Sequence, residues 1–280
     1  MPKSMAVIGG GTMGVGIAYV FAVAQWSTTI VEPVDQRAVE LTRELERAAS
    51  DGLRRGVLDT RFAATLAANV HRVSDVSELS LGLDLIIESV PERMELKRQI
   101  LSAAEKFRPK FLASNTSSLS IDELATPLQR PESFLGMHFF NPVWSIPLVE
   151  VVRGRETSEV TLDGVLAIIE GIGKQSAVVT DSPGFATSRL DLIASMEAIR
   201  MVEEGVGCAA DIDRAMRLAY RHPVGPLYLS DLVGLDVRLD IARRLSVALG
   251  NRFEPPELLI RMVRDGYLGR KSGKGFYDWV

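Results

Sequence analysis

The stretch Ser4-Met5-Ala6-Val7-Ile8-Gly9-Gly10-Gly11-Thr12-Met13-Gly14 decides how the start of this chain folds. Its apolar beginning, residues 4–8, predicts a short strand, and the apolar residues 13–24 predict a helix directly after it. Between them, residues 9–14 fit the pattern G-x-G-x-x-G. A glycine-rich turn is common by itself, but a strand before it and a helix after it are typical of a dinucleotide-binding fingerprint.

Each residue of this turn has an expected role in binding a dinucleotide. Gly9 would allow the tight turn, Gly11 would let the backbone approach a pyrophosphate, and Gly14 would let the helix pack on the strand. The helix N-terminus, with Thr12 and Met13, offers N–H groups to the phosphates.

An acid on the next predicted strand favours NAD as the dinucleotide. Glu32 stands 21 residues after Gly11, at the end of a β-branched strand predicted for residues 28–31. Its carboxylate can accept a bond from a ribose hydroxyl and would repel a 2′-phosphate, which favours NAD over NADP. Arg37 lies five residues further on and leaves some use of NADP open. A flavin would also accept Glu32, but no flavin domain follows.

Composition sets the broad class of the protein. Its 280 residues are 46% hydrophobic and 24% charged, which is ordinary for a globular protein of about two domains. The formal net charge of −4 argues against binding to nucleic acid. One cysteine, Cys208, and three histidines leave little material for a metal site, and no apolar run is long enough for a membrane helix. We expect a metal-free protein of the reducing cytoplasm.

Strand and helix patterns alternate in the first part of the chain and give way to helices in the second. Further strands are predicted at residues 83–90, 111–114, 134–138, 148–153 and 175–180, and further helices at residues 35–52, 92–107 and 158–172, with a short helix after Ser120. This alternation predicts an α/β fold with a Rossmann-type, doubly wound and largely parallel sheet.

After Pro183-Gly184, helices are predicted at residues 185–204, 209–219, 236–249 and 256–266. We therefore predict an NAD-binding domain at residues 1–183 and a smaller all-helical domain at residues 184–280.

A histidine and an acid point to proton transfer at the end of the predicted sheet. His138 ends an apolar strand, and ligands of open α/β sheets bind outside the carboxyl ends of the strands. Facing a nicotinamide, His138 could take a proton from a hydroxyl as hydride leaves the same carbon. Glu150, a lone acid inside an apolar strand, could orient the imidazole and stabilise its charged form. Either residue alone could be structural, and we expect His71 and His222 to have no catalytic role.

Further motifs follow one another in a fixed order along the whole chain. They are Ile86-Ile87-Glu88 with Glu92 and Lys97, Asn115-Thr116-Ser117-Ser118-Leu119, His138-Phe139-Phe140-Asn141-Pro142, Leu148-Val149-Glu150, Asp181-Ser182-Pro183-Gly184-Phe185, His222-Pro223-Val224-Gly225-Pro226 and Gly269-Arg270-Lys271-Ser272-Gly273-Lys274-Gly275-Phe276-Tyr277. Together with the fingerprint they resemble the L-3-hydroxyacyl-CoA dehydrogenase family, especially its short 3-hydroxybutyryl-CoA dehydrogenase type.

The resemblance implies an NAD-dependent enzyme of fatty acid metabolism that oxidises the 3-hydroxyl of an acyl-CoA thioester, or runs in reverse. It implies His138 as the general base, Glu150 as its orienting partner and Ser117 as a hydrogen-bond partner of the reacting oxygen. It also implies that the helical C-terminal domain binds substrate and forms a homodimer. Other residues are implied near the coenzyme, namely Glu92, Lys97 and Asn115, and near the substrate, namely Asn141, Ser188 and Arg55.

The chain departs from the family pattern around the expected acyl site. Ser188 stands where the family pattern Pro-Gly-Phe-x-x-Asn-Arg has asparagine, and Trp144 stands where proline is usual. These departures leave open an enzyme that acts on a carrier-protein-bound hydroxyacyl group or on a free hydroxy acid. A non-catalytic, crystallin-like protein that binds NAD is a further alternative, which the presence of both His138 and Glu150 opposes.

Overall fold

The computed structural model describes residues 3–56 and 58–279 of the chain. The chain divides into two compact units, Met1–Ser182 and Pro183–Val280. The first unit contains an eight-stranded sheet with flanking helices, and the second is built from helices. The predicted fold class, an α/β unit followed by a smaller helical one, is confirmed.

The strands of the first unit lie in one sheet whose order reverses near its centre. They are β1 (Ser4–Ile8), β2 (Ser27–Val31), β3 (Val70–Val73), β4 (Leu85–Glu88), β5 (Phe111–Ser114), β6 (Phe134–Phe139), β7 (Leu148–Arg153) and β8 (Gln175–Thr180). Their order is β3-β2-β1-β4-β5-β6-β7-β8, and all neighbours are parallel except β6 and β7. The predicted, largely parallel sheet is therefore confirmed. Because β1 lies between β2 and β4, a crevice is expected at the carboxyl ends of these strands.

Helices cover this sheet because they bury apolar faces against it. They are α1 (Thr12–Val23), α2 (Asp35–Arg54), α3 (Thr60–Thr65), α4 (Met94–Glu105), α5 (Ile121–Ala125) and α6 (Glu159–Gly171). The helix α2 buries Leu41, Leu45 and Ala48, which recur at helical spacing, and leaves most of its charged residues in water. Each large apolar side chain buried in this way contributes about 1.5–3 kcal/mol.

The second unit has a separate core. Its helices are α7 (Thr187–Glu203), α8 (Ala209–Tyr220), α9 (Pro226–Val233), α10 (Leu235–Leu249) and α11 (Glu257–Arg264). Apolar side chains from several of these helices are fully or almost fully buried together, namely Leu192, Met196, Ile199, Leu227, Leu239 and Leu245. No helix within residues 3–56 and 58–279 is long and apolar enough to cross a membrane.

Two buried acids fix the end of the second unit, and we call this arrangement the C-terminal latch. The carboxylate of Asp231 accepts hydrogen bonds from the N–H groups of Phe276 and Tyr277 and from the indole N–H of Trp279, at 2.9–3.0 Å. The carboxylate of Asp213 accepts two N–H groups at the start of α9 and the hydroxyl of Tyr277. Burial and the bond to Asp213 raise the pKa of Tyr277, so its hydroxyl remains a donor.

Three elements of the structure are absent from the sequence-based prediction, namely α3, β3 and α9. The strand β3 is an edge strand that buries Val70 alone, so it shows no alternation of apolar and polar residues. The helices α3 and α9 have six and eight residues, too short for a clear helical period. Most other elements differ from the prediction only at their ends, as where the strand predicted at residues 83–90 is β4.

Candidate active site

A cavity of about 830 Å³ opens at the carboxyl ends of the central strands of the first unit. Its volume is in the range typical of sites for small molecules and cofactors. The residues after β1, β2, β4 and β5 and the end of β6 contribute to its wall, as expected at the switch point of an open sheet. Nine of the predicted site residues line it: Gly9, Gly11, Thr12, Met13, Glu32, Glu92, Asn115, Ser117 and His138.

The glycine turn has the geometry that a bound pyrophosphate requires. Gly9 has a φ of +113°, and a Cβ on it would lie 2.6 Å from the carbonyl oxygen of Ser89. A Cβ on Gly14 would lie 1.8 Å from the carbonyl oxygen of Gly9, so only glycine lets α1 approach this closely. A Cβ on Gly11 would meet nothing within 4 Å. Gly11 begins α1 without a side-chain cap, so the helix N-terminus is suited to an anion.

Glu32 is held beside this turn by backbone donors. Its side chain follows β2 and accepts the N–H of Gly10 and the N–H of Val34, each at 3.0 Å. A carboxylate has roughly four acceptor positions, so Glu32 can also accept ribose hydroxyls. The turn and the acid together fit a dinucleotide with its adenosine ribose at Glu32.

The histidine and the acid singled out in the sequence form a pair. The strands β6 and β7 are antiparallel, and their register places His138 directly opposite Glu150. Nδ1 of His138 lies 3.0 Å from Oε2 of Glu150, and both side chains are buried. An ionised carboxylate only accepts hydrogen bonds, so a proton on Nδ1 would bind Glu150 and would leave Nε2 as the nitrogen that can exchange a proton with a substrate.

A second acid holds the loop after β5. One oxygen of Glu92 accepts the hydroxyl of Thr116 at 2.5 Å and the N–H groups of Ser117 and Ser118 at 3.0 and 3.1 Å. Burial acts to raise the pKa of Glu92, but the ammonium of Lys97 and these donors together hold that pKa below its usual value. Ser117 is thereby fixed at the wall of the cavity as an exposed residue, and its hydroxyl donates to Glu92 at 3.4 Å.

Beneath this loop lies a buried ion pair between Lys97, which is implied near the coenzyme, and Glu88, for which no role was predicted. The ammonium of Lys97 lies 2.7 Å from Glu88 and 3.3 Å from Glu92, and the side chains of Lys97 and Glu88 are 1% and 0% exposed. Ser114 also donates to Glu88 at 2.5 Å, while burial raises the pKa of Glu88. Lys97 is not among the described residues that line the cavity, but it forms an ion pair with Glu92, which does line it. The sequence pattern that pointed to Glu150, a lone acid in an apolar strand, also occurs at Glu88 and could have identified it.

Asn115 joins three strand ends around the cavity. Its side-chain oxygen accepts the N–H of Phe139 at 2.9 Å, and its amide nitrogen donates to the hydroxyl of Ser89 at 3.2 Å. Asn115 follows β5, Ser89 follows β4, and Phe139 ends β6 next to His138. The amide therefore fixes the position of the histidine relative to Ser89, whose N–H donates to the carbonyl oxygen of Ile8, just before the glycine turn, at 2.8 Å.

A buried lysine holds the loop that follows the histidine strand, and the sequence analysis missed it. The ammonium of Lys174 donates to the carbonyl oxygens of Val143 and Ile146 at 2.6 and 2.7 Å. Burial lowers the pKa of Lys174. A Cβ on Gly16 in α1 would lie 2.7 Å from Val143, so this loop packs directly on the fingerprint helix. Nothing in the local sequence distinguishes Lys174 from a surface lysine.

Three residues are implied near the substrate, and their roles stay predictions. Asn141 is exposed after β6, Arg55 is exposed at the end of α2, and Ser188 lies in the first turn of α7 in the second unit. Neither Asn141 nor Arg55 is among the described residues that line the cavity. Within the same residues, no group of three metal-binding side chains could hold a metal ion.

Two family models together match almost the whole chain. Residues 4–182 match the NAD binding domain of 3-hydroxyacyl-CoA dehydrogenase, and residues 184–279 match the C-terminal domain of the same enzyme. The chain belongs to the 3-hydroxyacyl-CoA dehydrogenase family. The resemblance inferred from the motifs is confirmed, and so is NAD as the coenzyme of this family member.

Individual relatives are similar to this chain over nearly their whole length. It is 40% identical over 285 residues to the "Probable 3-hydroxybutyryl-CoA dehydrogenase" of Bacillus subtilis, covering 99% of this chain and 97% of that protein. It is 37% identical over 278 residues to the 3-hydroxybutyryl-CoA dehydrogenase of Clostridioides difficile, covering 98% and 99%. The crystal structure of (S)-3-hydroxybutyryl-CoA dehydrogenase PaaH1 from Ralstonia eutropha superposes with a TM-score of 0.94 at 34% identity, covering all of both chains.

Proposed function

We propose that this protein is an NAD-dependent dehydrogenase that oxidises the 3-hydroxyl of an L-3-hydroxyacyl-CoA of the 3-hydroxybutyryl-CoA type to a ketone, or catalyses the reverse reduction. The observation that carries this proposal is that His138, paired with Glu150, lines the same cavity as the dinucleotide fingerprint. The names of the relatives support the acyl-CoA substrate.

Backbone groups and one acid would hold the coenzyme. The N–H groups in the first turn of α1 would face the pyrophosphate, and Gly11 leaves the space that close approach needs. Glu32 would accept the hydroxyls of the adenosine ribose. NAD bound in this cavity supplies the acceptor for the hydride that leaves C3 of the substrate.

The proton moves through His138. Its Nε2 takes the proton of the 3-hydroxyl while hydride leaves C3, and in the reverse direction it returns that proton to the ketone oxygen. Glu150 fixes the ring and stabilises the imidazolium through Nδ1 at 3.0 Å. The hydroxyl of Ser117, a residue whose backbone N–H is held by Glu92, hydrogen-bonds the reacting oxygen.

Two further assignments rest on the family resemblance. Asn141, Ser188 and Arg55 are assigned to substrate binding, and the C-terminal unit is assigned to a homodimer interface. Apolar side chains exposed on that unit support the second assignment, namely Leu190, Leu218, Tyr220 and Val247.

A substrate panel tests the proposed function. Acetoacetyl-CoA, free acetoacetate and an acetoacetyl group on an acyl carrier protein are compared as substrates, each with NADH and with NADPH. We expect acetoacetyl-CoA with NADH to give the highest kcat/KM by NADH absorbance. Inactivity towards every CoA ester, with turnover of the carrier-bound or free acid, would identify one of the alternative substrates and reject the CoA assignment.

A further inference from the structure

Arg37 is the only arginine or lysine among the described residues that line the cavity. It lies in the first turn of α2, and its Nε donates to the carbonyl oxygen of Gly10 at 3.0 Å. An arginine beside a dinucleotide fingerprint is the group that accommodates the 2′-phosphate of NADP. The contacts of Arg37 therefore decide whether this site can use NADP.

The rest of the guanidinium is bound by two acids further along α2. Nη1 of Arg37 donates to Glu40 and to Glu44 at 2.8 Å each, and Nη2 donates to the second oxygen of Glu44 at 3.0 Å. The contact with Glu44 is thus bidentate, which is the strongest arrangement for such a pair. The hydrogen bond to Glu44 raises the pKa of Arg37, so the guanidinium stays charged while that charge is matched by carboxylates.

A second guanidinium is bound at the backbone of Glu32. Arg72 donates through Nε and Nη2 to the carbonyl oxygen of Glu32 at 2.9 and 2.7 Å, and through Nη2 to Asp35 at 2.8 Å. Another acid, Asp75, lines the cavity after β3. Three carboxylates, those of Asp35, Glu40 and Glu44, pair with these two guanidiniums. Two more, those of Glu32 and Asp75, belong to residues that line the cavity.

We propose that Glu40 and Glu44 determine the coenzyme specificity together with Glu32. They keep Arg37 on the carbonyl oxygen of Gly10 and neutralise the only lysine or arginine that the described residues present to the cavity. A 2′-phosphate would have to break the bidentate contact with Glu44 and would meet uncompensated negative charge. Discrimination against NADP thus depends on Glu40 and Glu44 of α2 as well as on Glu32, which follows β2. This inference rests on the proposed binding of NAD at this site.

The double variant Glu40→Gln/Glu44→Gln tests the proposal, since it keeps both side-chain sizes and removes both charges. We expect the Kd of NADPH to fall by at least about tenfold, because Arg37 gains a net charge for the phosphate, while the Kd of NADH changes by less than about threefold. Both values are measured by coenzyme fluorescence titration without substrate, and the ratio of kcat/KM for the two coenzymes is measured in parallel.

Two controls separate this role from a change in net charge. The variant Glu46→Gln/Glu95→Gln removes two exposed carboxylates that do not contact Arg37, and it should leave the Kd of NADPH unchanged. Adding Arg37→Gln to the double variant should abolish the gain in NADPH binding. An unchanged Kd of NADPH in the double variant, an equal gain in the control, or a gain that survives without Arg37 would overturn the proposal. A wild-type protein that binds neither coenzyme would overturn the proposed function as well.

Discussion

Single carboxylates organise the site of this dehydrogenase at the residue scale. Glu150, Glu92, Glu88 and Glu32 each accept hydrogen bonds from a neighbouring segment, and Glu88 and Glu150 are fully buried. Desolvating a carboxylate costs several kcal/mol, so such groups persist only where donors compensate for the loss of water. Removing one of them therefore disturbs its partners more than the loss of one hydrogen bond would suggest.

The variant His138→Gln tests the proton-transfer role. Glutamine can still accept a bond in the cavity but cannot take up the hydroxyl proton, so we expect kcat to fall by about 10²–10⁴-fold. NADH binding, measured by fluorescence titration, should stay near the wild-type value, because the fingerprint is untouched. His71→Gln, on the exposed side of β3, serves as the matched control and should retain full activity. Near-normal turnover of His138→Gln would exclude the histidine as the general base.

The variant Glu88→Gln tests the buried ion pair. It leaves the ammonium of Lys97 without its closest counter-charge, and breaking a buried pair from one side lowers the free energy of unfolding by about 3–5 kcal/mol. Urea unfolding measures this change. Glu95→Gln serves as the control. It removes an exposed acid of α4, the helix that carries Lys97, and the ion pair of Glu95 with Arg98 is worth at most about 1 kcal/mol. Equal effects of the two substitutions would show that the buried pair carries no special stability.

At the scale of elements, the site depends on where strands end and on how closely α1 approaches β1. The ends of β4, β5 and β6 are joined by Asn115, and α1 can reach the sheet because Gly14 contacts the carbonyl oxygen of Gly9. Two glycines of one turn thus have different structural roles. Gly14 serves packing, while Gly11 keeps space open in the cavity.

Replacing each of these glycines with alanine should distinguish the role in packing from the role in coenzyme binding. Gly14→Ala places a methyl group 1.8 Å from the carbonyl oxygen of Gly9, so we expect overpacking to lower the free energy of unfolding by about 1–3 kcal/mol or more. Gly11 has a φ of −72°, which alanine adopts freely, so Gly11→Ala should change stability by less than about 0.5 kcal/mol. It should instead weaken NADH binding, because its methyl group points into the cavity. Unchanged NADH affinity in Gly11→Ala would contradict the pyrophosphate assignment.

The sequence predicted those features that depend on local patterns. The strand–turn–helix at residues 4–24 was predicted from glycine spacing, and the pairing of His138 with Glu150 was predicted from two polar residues in apolar strands that turned out to be antiparallel neighbours. The edge strand β3 was missed because its neighbours in space, not its own residues, make it a strand. The contacts of Lys174 with Val143 and Ile146 and of Arg37 with Gly10 could not be predicted, since they join segments that are distant along the chain.

At the scale of the whole molecule, two units with separate cores carry different parts of the proposed function. The described residues that line the proposed coenzyme cavity belong to Met1–Ser182. The unit Pro183–Val280 exposes large apolar side chains, among them Val247 at 91% and Leu218 at 74%. Such side chains are tolerated on a surface, but several on one small unit favour an interface.

Sedimentation equilibrium tests the proposed homodimer. One chain has a mass of 30.6 kDa, and we expect a particle of twice that mass at micromolar concentration. Because a stable dimer of this kind is favoured by burial of apolar surface, its mass should change little between low and high salt. A single-chain mass across this concentration range would reject the homodimer and leave the coenzyme site unaffected.

The C-terminal latch also sets an order of events during protein synthesis. Asp231 precedes its donors Phe276, Tyr277 and Trp279 by 45, 46 and 48 residues. Until Trp279 has left the ribosome, this acid has no way to be buried without a large desolvation cost. The strands of the first unit all lie within Met1–Ser182, so that unit can fold while the second is still being translated. A nascent chain stalled before Trp279 would therefore carry a folded coenzyme-binding unit joined to an unfolded segment open to proteases.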